Sequence, residues 1–348
     1  MIEVYAPTIR RKEMDAVLTA LVEDKIGPGE QARFLIQSAK EHLGFDYCLS
    51  VRSPAIALFL ALQSLNLEDG AGVLISALSP RYYLRVIEDL RLRPVYGDVS
   101  RDSPCMSRET LGAALAAQTE QPSPRCIVLH HTLGFMPDMA SLVDRGLPVI
   151  EDCSQSYGAT LGDGTAESGK QVSGVFTILG LEEKDMLTAG GGALLYAMNR
   201  RDASVLRNLA NLPPEYGLPD MNAAMAVVQF REAVKNLEKR KEIAQVYTQS
   251  ALRTRHKRFM QKDEGEYNNY AFPLILESGM KDVKAYSKRK EIAVESAFED
   301  TLMGTGMVNQ SLCPESYSLS LRTVLFPLYP RLGASETEKV AKLIVTLP

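Results

Sequence analysis

Short apolar, β-branched runs recur through the first two thirds of this chain, and the segments between them are long enough and regular enough to be helices. The runs are Tyr47 to Val51, Gly72 to Leu78, Arg93 to Gly97, Cys126 to His131, Pro148 to Glu151, Val172 to Leu179 and Ala193 to Ala197. Between them, Ala55 to Leu67 and Glu109 to Ala117 repeat apolar residues at helical spacing. Neighbouring parallel strands need a long crossover, whereas antiparallel ones close with a tight turn. The alternation therefore predicts an α/β fold with a mostly parallel central sheet and helices on both faces. Near Asp220 the pattern changes. Ala223, Ala224, Val227, Val228, Phe230, Val234, Leu237, Ile243 and Tyr247 mark one long helix, about 220–250, with charged residues on its other face. Beyond it, strand-like Tyr270 to Leu276 and helical Ser335 to Val345 read as a smaller α+β unit. The expected organisation is a large α/β domain, 1–238, and a small C-terminal α+β domain, 239–348, joined by the long helix.

Charge narrows the class of partner. The 348 residues carry 39 Lys plus Arg against 43 Asp plus Glu, a net charge of −4. No field of that sign draws in nucleic acid or an anionic membrane, so small molecules and a second copy of the chain are the expected partners. The basic clusters Arg253 to Arg258 and Lys288 to Lys290 lack interleaved aromatics and read as solvated surface. Cys48, Cys105, Cys126, Cys153 and Cys313 are odd in number and never form a CxxC pair, which argues against a disulfide framework or a structural zinc. The N-terminal MIEVYAPTIRRKEMDAV lacks the apolar core of a signal peptide, and no apolar run reaches membrane-spanning length. A cytoplasmic location is expected.

Open parallel sheets bind ligands outside the carboxyl ends of their strands, so polar residues there are the candidates for chemistry. Asp152 follows the run Leu147-Pro-Val-Ile-Glu, His130 and His131 end the run Cys-Ile-Val-Leu, and Ser53 precedes the first long helix. Lys184 stands just before Thr188-Ala-Gly-Gly-Gly-Ala193, where three glycines mark either a tight turn or a ligand cradle. A strand-end Asp and a downstream Lys are what pyridoxal-phosphate chemistry requires. The amine forms a Schiff base with the cofactor aldehyde, and the carboxylate keeps the pyridine nitrogen protonated. The bland readings are a helix cap for the Asp, a solvated side chain for the Lys, satisfied core imidazoles for His130 and His131, and a small buried filler for Cys153.

These residues stand in longer segments that resemble a known family. Val149-Ile-Glu-Asp-Cys-Ser-Gln-Ser-Tyr-Gly-Ala159 is similar to the E-D-x-A-Q-x-x-G-A motif of the DegT/StrS-type sugar aminotransferases, which are fold-type I pyridoxal-phosphate enzymes. Lys184-Asp-Met-Leu-Thr-Ala-Gly-Gly-Gly-Ala193 resembles their K-N-L-T-T-G-E-G-G-A, and His131-Thr-Leu-Gly-Phe-Met-Pro-Asp-Met139 resembles H-L-Y-G-Q-P-A-D-M. Asp220 to Ala224 with Gln229, and Leu325-Phe-Pro-Leu-Tyr-Pro330, match the bridging helix and a C-terminal motif. The resemblance implies a homodimer, Lys184 as Schiff-base lysine and proton shuttle, Asp152 on the pyridine nitrogen, and Gln155 on the cofactor hydroxyl or ring face. The implied reaction moves an amino group from an amino acid, glutamate being the expected donor, to a keto-sugar nucleotide.

The chain departs from the family at the phosphate cup. Where the family has S-G-T-A-A-L, this sequence has Ser53-Pro-Ala-Ile-Ala-Leu58. Pro54 has no N–H and Ala55 has no hydroxyl. The family's serine before the lysine aligns with Leu179, with Thr177 as the candidate replacement, and Glu182 and Glu183 stand beside Lys184. The ring-stacking aromatic aligns with Pro80, with Tyr82 or Tyr83 as stand-ins. The cross-subunit N-Y-R segment reads Glu215, Tyr216, Gly217. Charge-assisted hydrogen bonds of the kind missing here contribute roughly 1.5–3 kcal/mol each, so cofactor binding is expected to be weak or absent. Two readings follow: an aminotransferase with a remodelled phosphate site, and a non-catalytic relative that keeps the fold as a binding or scaffold protein. A dehydratase on the same cofactor requires His in place of the lysine, and this chain has Lys184.

Overall fold

The computed structural model describes residues 1–24, 26–117, 123–137, 146–161, 166–167, 174–209, 211–260 and 265–348. Helices α1 (Arg11–Val22) and α2 (Glu30–Leu43) precede β1 (Tyr47–Val51), α3 (Pro54–Ser64), β2 (Gly72–Ser76), α4 (Tyr82–Asp89), β3 (Arg93–Gly97), α5 (Arg108–Ala116), β4 (Pro124–His130) and β5 (Val149–Asp152). A short pair, β6 (Thr160–Leu161) and β7 (Ala166–Glu167), leads to β8 (Phe176–Gly180), β9 (Ala193–Ala197) and α6 (Arg200–Arg207). The remainder is α7 (Asp220–Ala251), β10 (Phe272–Ile275), α8 (Met280–Arg289), β11 (Glu295–Ser296), α9 (Pro314–Arg322), β12 (Thr323–Phe326) and α10 (Ala334–Val345).

The large sheet runs β1-β9-β8-β5-β4-β2-β3. The pairs β3–β2, β2–β4, β4–β5 and β5–β8 are parallel, while β9 is antiparallel to both β8 and β1. Every residue of β2, Gly-Val-Leu-Ile-Ser, is buried, as expected for a strand covered by helices on both faces. It stops at Ser76, two residues short of the expected end, because the chain turns there: Leu78 N–H donates to Ser76 Oγ at 3.1 Å and Ser79 N–H to the Ser76 carbonyl at 3.0 Å. The strand expected over Val172 to Leu179 is Phe176–Gly180, and its first two expected residues lie outside the described residues. All five cysteines are free and buried.

Helix α7 joins two apolar clusters. Its 32 residues span about 48 Å at 1.5 Å per residue. Ala223, Ala226, Val227 and Phe230 belong to the cluster around the large sheet, whereas Ile243, Ala244, Tyr247 and Ala251 pack with β10, β12 and α10. The cluster around the large sheet also takes in Phe298, Leu302 and Cys313 from the C-terminal third, so that part of the chain is anchored against the carboxyl ends of the large sheet. Between the two halves of α7, the buried Arg240 guanidinium donates to the carbonyls of Asn269 (3.3 Å), Tyr270 (2.8 Å) and Leu328 (3.1 Å).

Replacing Arg240 with Met removes these donors and leaves buried carbonyls unpaired. We expect Arg240→Met to lower unfolding stability by about 3 kcal/mol, read from the midpoint of a urea transition at unchanged m-value.

Candidate active site

A cavity of about 550 Å³ opens at the carboxyl ends of β2, β4 and β5. Its wall includes Lys184, Gln155 and His130 from the large sheet's loops, Tyr5 from the N-terminal segment, Tyr270, and the stretch Glu295 to Thr301. That stretch is fixed across the end of β2 by backbone bonds: Leu302 N–H donates to the Ser79 carbonyl at 3.0 Å and Arg81 N–H to that of Asp300 at 3.3 Å. Residues far apart in sequence thus close one pocket.

Asp152, at the end of β5, lies beside this cavity and is 1% exposed. Both its oxygens are engaged. Oδ1 accepts from the Ser154 N–H at 3.0 Å and from the Ser154 hydroxyl. Oδ2 accepts from the Tyr83 hydroxyl at 2.7 Å and the Tyr82 hydroxyl at 3.2 Å. A carboxylate has about four acceptor sites, so two tyrosines and one serine fill it. Burial, and then the adjacent Asp152, hold both tyrosine hydroxyls in the neutral, donating form by raising their pKa well above its ordinary value. The sequence admitted Tyr82 or Tyr83 as ring-stacking residues; instead both present hydroxyls to the acid. His130 stands edge-on to Tyr83, with ring centroids 6.3 Å apart, and burial lowers its pKa to about 4, which keeps the imidazole neutral.

Lys184 lines the cavity with a half-exposed side chain, rather than the buried one its expected role favours. Its Nζ lies 3.6 Å from Glu295 Oε2 and 5.1 Å from the centre of the Tyr5 ring. Gln155 shares the cavity, and its Oε1 accepts the Leu133 N–H at 2.7 Å, which steadies a residue held at φ +55°. Among the described residues no hydrogen bond engages the NH2 half of that amide. Asp185 was missed in the sequence although it adjoins Lys184. Its carboxylate accepts the Glu182 N–H at 2.8 Å and occupies the space above Gly180, where any Cβ would collide with it. Burial, with Asp152 and Glu182 nearby, raises its pKa to about 8.

Three other expected residues do not join the cavity. Thr177 pairs in register with Glu151 and Tyr196, whereas Asp152 pairs with Ile178, so alternation sends Thr177 to the other face of the sheet. Its hydroxyl is buried there with no hydrogen-bond partner among the described residues. Ser53 and Ala55 are also outside the cavity lining. The Ser53 hydroxyl caps α3 by accepting the Ile56 N–H at 3.3 Å, with Pro54 at the first helical position. Glu215 to Gly217 lie against the end of β1 of their own chain, where Arg52 N–H donates to the Tyr216 carbonyl at 2.9 Å. The glycine triplet is a turn by necessity: Gly190, Gly191 and Gly192 sit at φ +70°, +141° and +123°. The turn also lies beside Glu182, whose Oε2 is 3.9 Å from the Cβ position of Gly191. His131, fully buried, bonds Ser156 Oγ at 2.7 Å through Nδ1 and faces Glu151 at 3.6 Å. Burial opposes its charge, yet Cys153 and Glu151 lift its pKa to about 10. The end of the His131 to Met139 segment lies outside the described residues.

Tested against these residues, pyridoxal phosphate fits at one end only. The ring end keeps an acid, an amide and an amine around one cavity, with the weaker Tyr82 hydroxyl as the group that must yield for a ring nitrogen to reach Asp152. The phosphate end offers a proline, an alanine and a serine already used as a cap.

The profile of the DegT/DnrJ/EryC1/StrS aminotransferase family matches residues 7–345. A dTDP-4-dehydro-2,3,6-trideoxy-D-glucose 4-aminotransferase from Saccharopolyspora spinosa is 24% identical over 98% of this chain and 95% of its own. An L-glutamine:2-deoxy-scyllo-inosose aminotransferase from Streptomyces fradiae is 28% identical over 53% of this chain, and the match covers 42% of that relative, less than half its length. Among solved structures, the aminotransferase TlmJ from Streptoalloteichus hindustanus superposes with a TM-score of 0.86 at 20% identity, covering 99% of this chain and 98% of that one. A GDP-4-keto-6-deoxymannose-3-dehydratase superposes at 0.84 with 14% identity, covering 99% and 100%. At such identities the structures establish the fold.

The raised pKa of Asp185 ties stability to pH. An acid that binds its proton more tightly when folded stabilises the fold fully below its unfolded value, near 4, and loses that contribution as pH climbs toward 8. Asp185→Asn should flatten the fall in Tm between pH 5 and pH 9 that the unmodified chain shows, measured by thermal scans in matched buffers.

Proposed function

Since this chain belongs to the DegT/DnrJ/EryC1/StrS aminotransferase family, whose members include sugar aminotransferases, we propose that it transfers an amino group to a keto sugar at the cavity described above. The observation that carries the reading is the convergence of Lys184 and Gln155 on one sugar-sized cavity beside the buried Asp152. Pyridoxal phosphate, the cofactor the family implies, supplies an electron sink when bound. Asp152 and Gln155 would hold its ring, and Lys184 would hold it through its amine.

The remaining work belongs to the chain's own groups. Lys184 must leave Glu295 to act as nucleophile, and would then serve as the base that moves a proton between the amino-acid α-carbon and the cofactor C4′. Its half-exposed position gives it the freedom to swing. The hydroxyls of Tyr82 and Tyr83 keep Asp152 in a fixed orientation without adding charge, and the neutral imidazole of His130 packs edge-on against Tyr83. The keto-sugar nucleotide and an amino-acid donor, with glutamate the expected one, are the proposed substrates, and a homodimer is the proposed working unit. A second reading has its own observation. The tyrosine cap on Asp152, together with Pro54 and Ala55, suits a relative that binds a sugar ligand without chemistry.

Titration with pyridoxal phosphate separates the two. The enzyme reading expects an absorbance band above 400 nm, roughly, that is absent in Lys184→Ala, together with formation of an amino sugar from a nucleotide-linked keto sugar by mass spectrometry. Binding of the keto sugar with neither band nor product would leave the binding-protein reading. A further variant, Tyr82→Phe, frees one acceptor site on Asp152 and should tighten cofactor binding several-fold in the same titration.

A further inference from the structure

The phosphate end of the site is altered in kind, beyond a loss of contacts. The α3 N-terminus, where an anion would meet free N–H groups, begins with Pro54, which has none. Its next N–H donors are Ala55 and Ile56, and the Ile56 N–H is already bonded to Ser53 Oγ at 3.3 Å. Ala55 supplies no hydroxyl. Arg52, adjacent in sequence, is exposed and outside the cavity lining. The glycine turn facing the end of β1 lies beside Glu182, whose Oε2 is 3.9 Å from the Cβ position of Gly191, and the Cβ position of Gly192 lies 3.5 Å from the Val51 carbonyl. Glu295, Glu299 and Asp300 line the same cavity, against one lysine that a carbonyl ligand would consume. A phosphate dianion placed in the cavity meets these carboxylates, and among the described lining residues Lys184 is the one cation to balance it. A neutral tail meets none of that repulsion.

We propose that this site accepts the pyridoxal ring without its phosphate, so that recognition rests on Lys184, Asp152 and Gln155 and is indifferent or averse to the phosphate group. The inference rests on the reading that Lys184 engages a pyridoxal ring. The step is a condensation: Nζ attacks the aldehyde carbon, a C=N bond forms, and the aldehyde oxygen leaves as water.

The test uses the full-length chain with two probes, pyridoxal phosphate and 5-deoxypyridoxal, which lacks the phosphate and cannot close an internal hemiacetal. After equilibration and borohydride reduction, label at Lys184 is quantified by peptide mass mapping, with Nα-acetyl-lysine as the free-amine reference for each probe and Lys184→Arg as the site control. The expected result is half-saturation of Lys184 by 5-deoxypyridoxal at a concentration no higher than that for pyridoxal phosphate, after reference correction. Rebuilding the cup with Pro54→Gly and Ala55→Thr should shift the preference toward pyridoxal phosphate by tenfold or more and leave the 5-deoxypyridoxal value within twofold. Tenfold preference for pyridoxal phosphate in the unmodified chain overturns this inference and leaves the aminotransferase reading standing. Failure of both probes to label Lys184 above the reference overturns both.

Discussion

The carboxylate of Asp152 is the fixed point of the site. A buried carboxylate is costly unless its acceptors are satisfied, and here Ser154, Tyr82 and Tyr83 satisfy all of them. That requirement orients the first turn of α4, because both tyrosines must reach across from the end of β2 to the end of β5. It also orders the next loop, since the Ser154 hydroxyl that donates to Asp152 accepts the Gly180 N–H at 2.8 Å. Gly180 in turn leaves room for Asp185. One charge thus connects β5, α4, β8 and the loop carrying Lys184.

Much of this was legible in the sequence, and for identifiable reasons. Strands buried on both faces read as unbroken apolar runs, so the order of β and α elements followed directly. The long helix declared itself through a stripe that runs from Ala223 to Tyr247. Asp152, Gln155 and Lys184 could be singled out because each sits within a contiguous motif. What escaped was set by tertiary contact. Tyr5 and Glu295 approach Lys184 from opposite ends of the chain, and neither has a local signature. Thr177 shares its sheet face with Glu151 rather than Asp152, a difference of strand alternation that only the register reveals. Leu133 held at φ +55° by Gln155 is likewise invisible to periodicity.

The site is therefore asymmetric. The end that holds Asp152 is anchored to the sheet, where β5 is buried at every position. Its phosphate end coincides with a helix start that has been reused for ordinary capping: Ser53 and Pro54 make a good beginning for α3 and a poor anion cradle. These two demands on one helix terminus compete for the same N–H groups, so a stable cap at this position and a phosphate cup exclude one another in large part. The family fold does not depend on the cup, which explains how the architecture persists at 24% identity to a relative matched over nearly its whole length while the local chemistry has changed.

The central claim is electrostatic, that a phosphate group in this cavity meets negative rather than positive charge. The most direct measurement is the affinity for pyridoxal phosphate as a function of ionic strength, varied with potassium chloride between about 0.02 and 0.5 M, over which the screening length falls from about 20 Å to about 4 Å. Screening relieves repulsion, so binding should strengthen with salt. Binding that weakens with salt, as it does where cations or free helix N–H groups grip a phosphate, would contradict it.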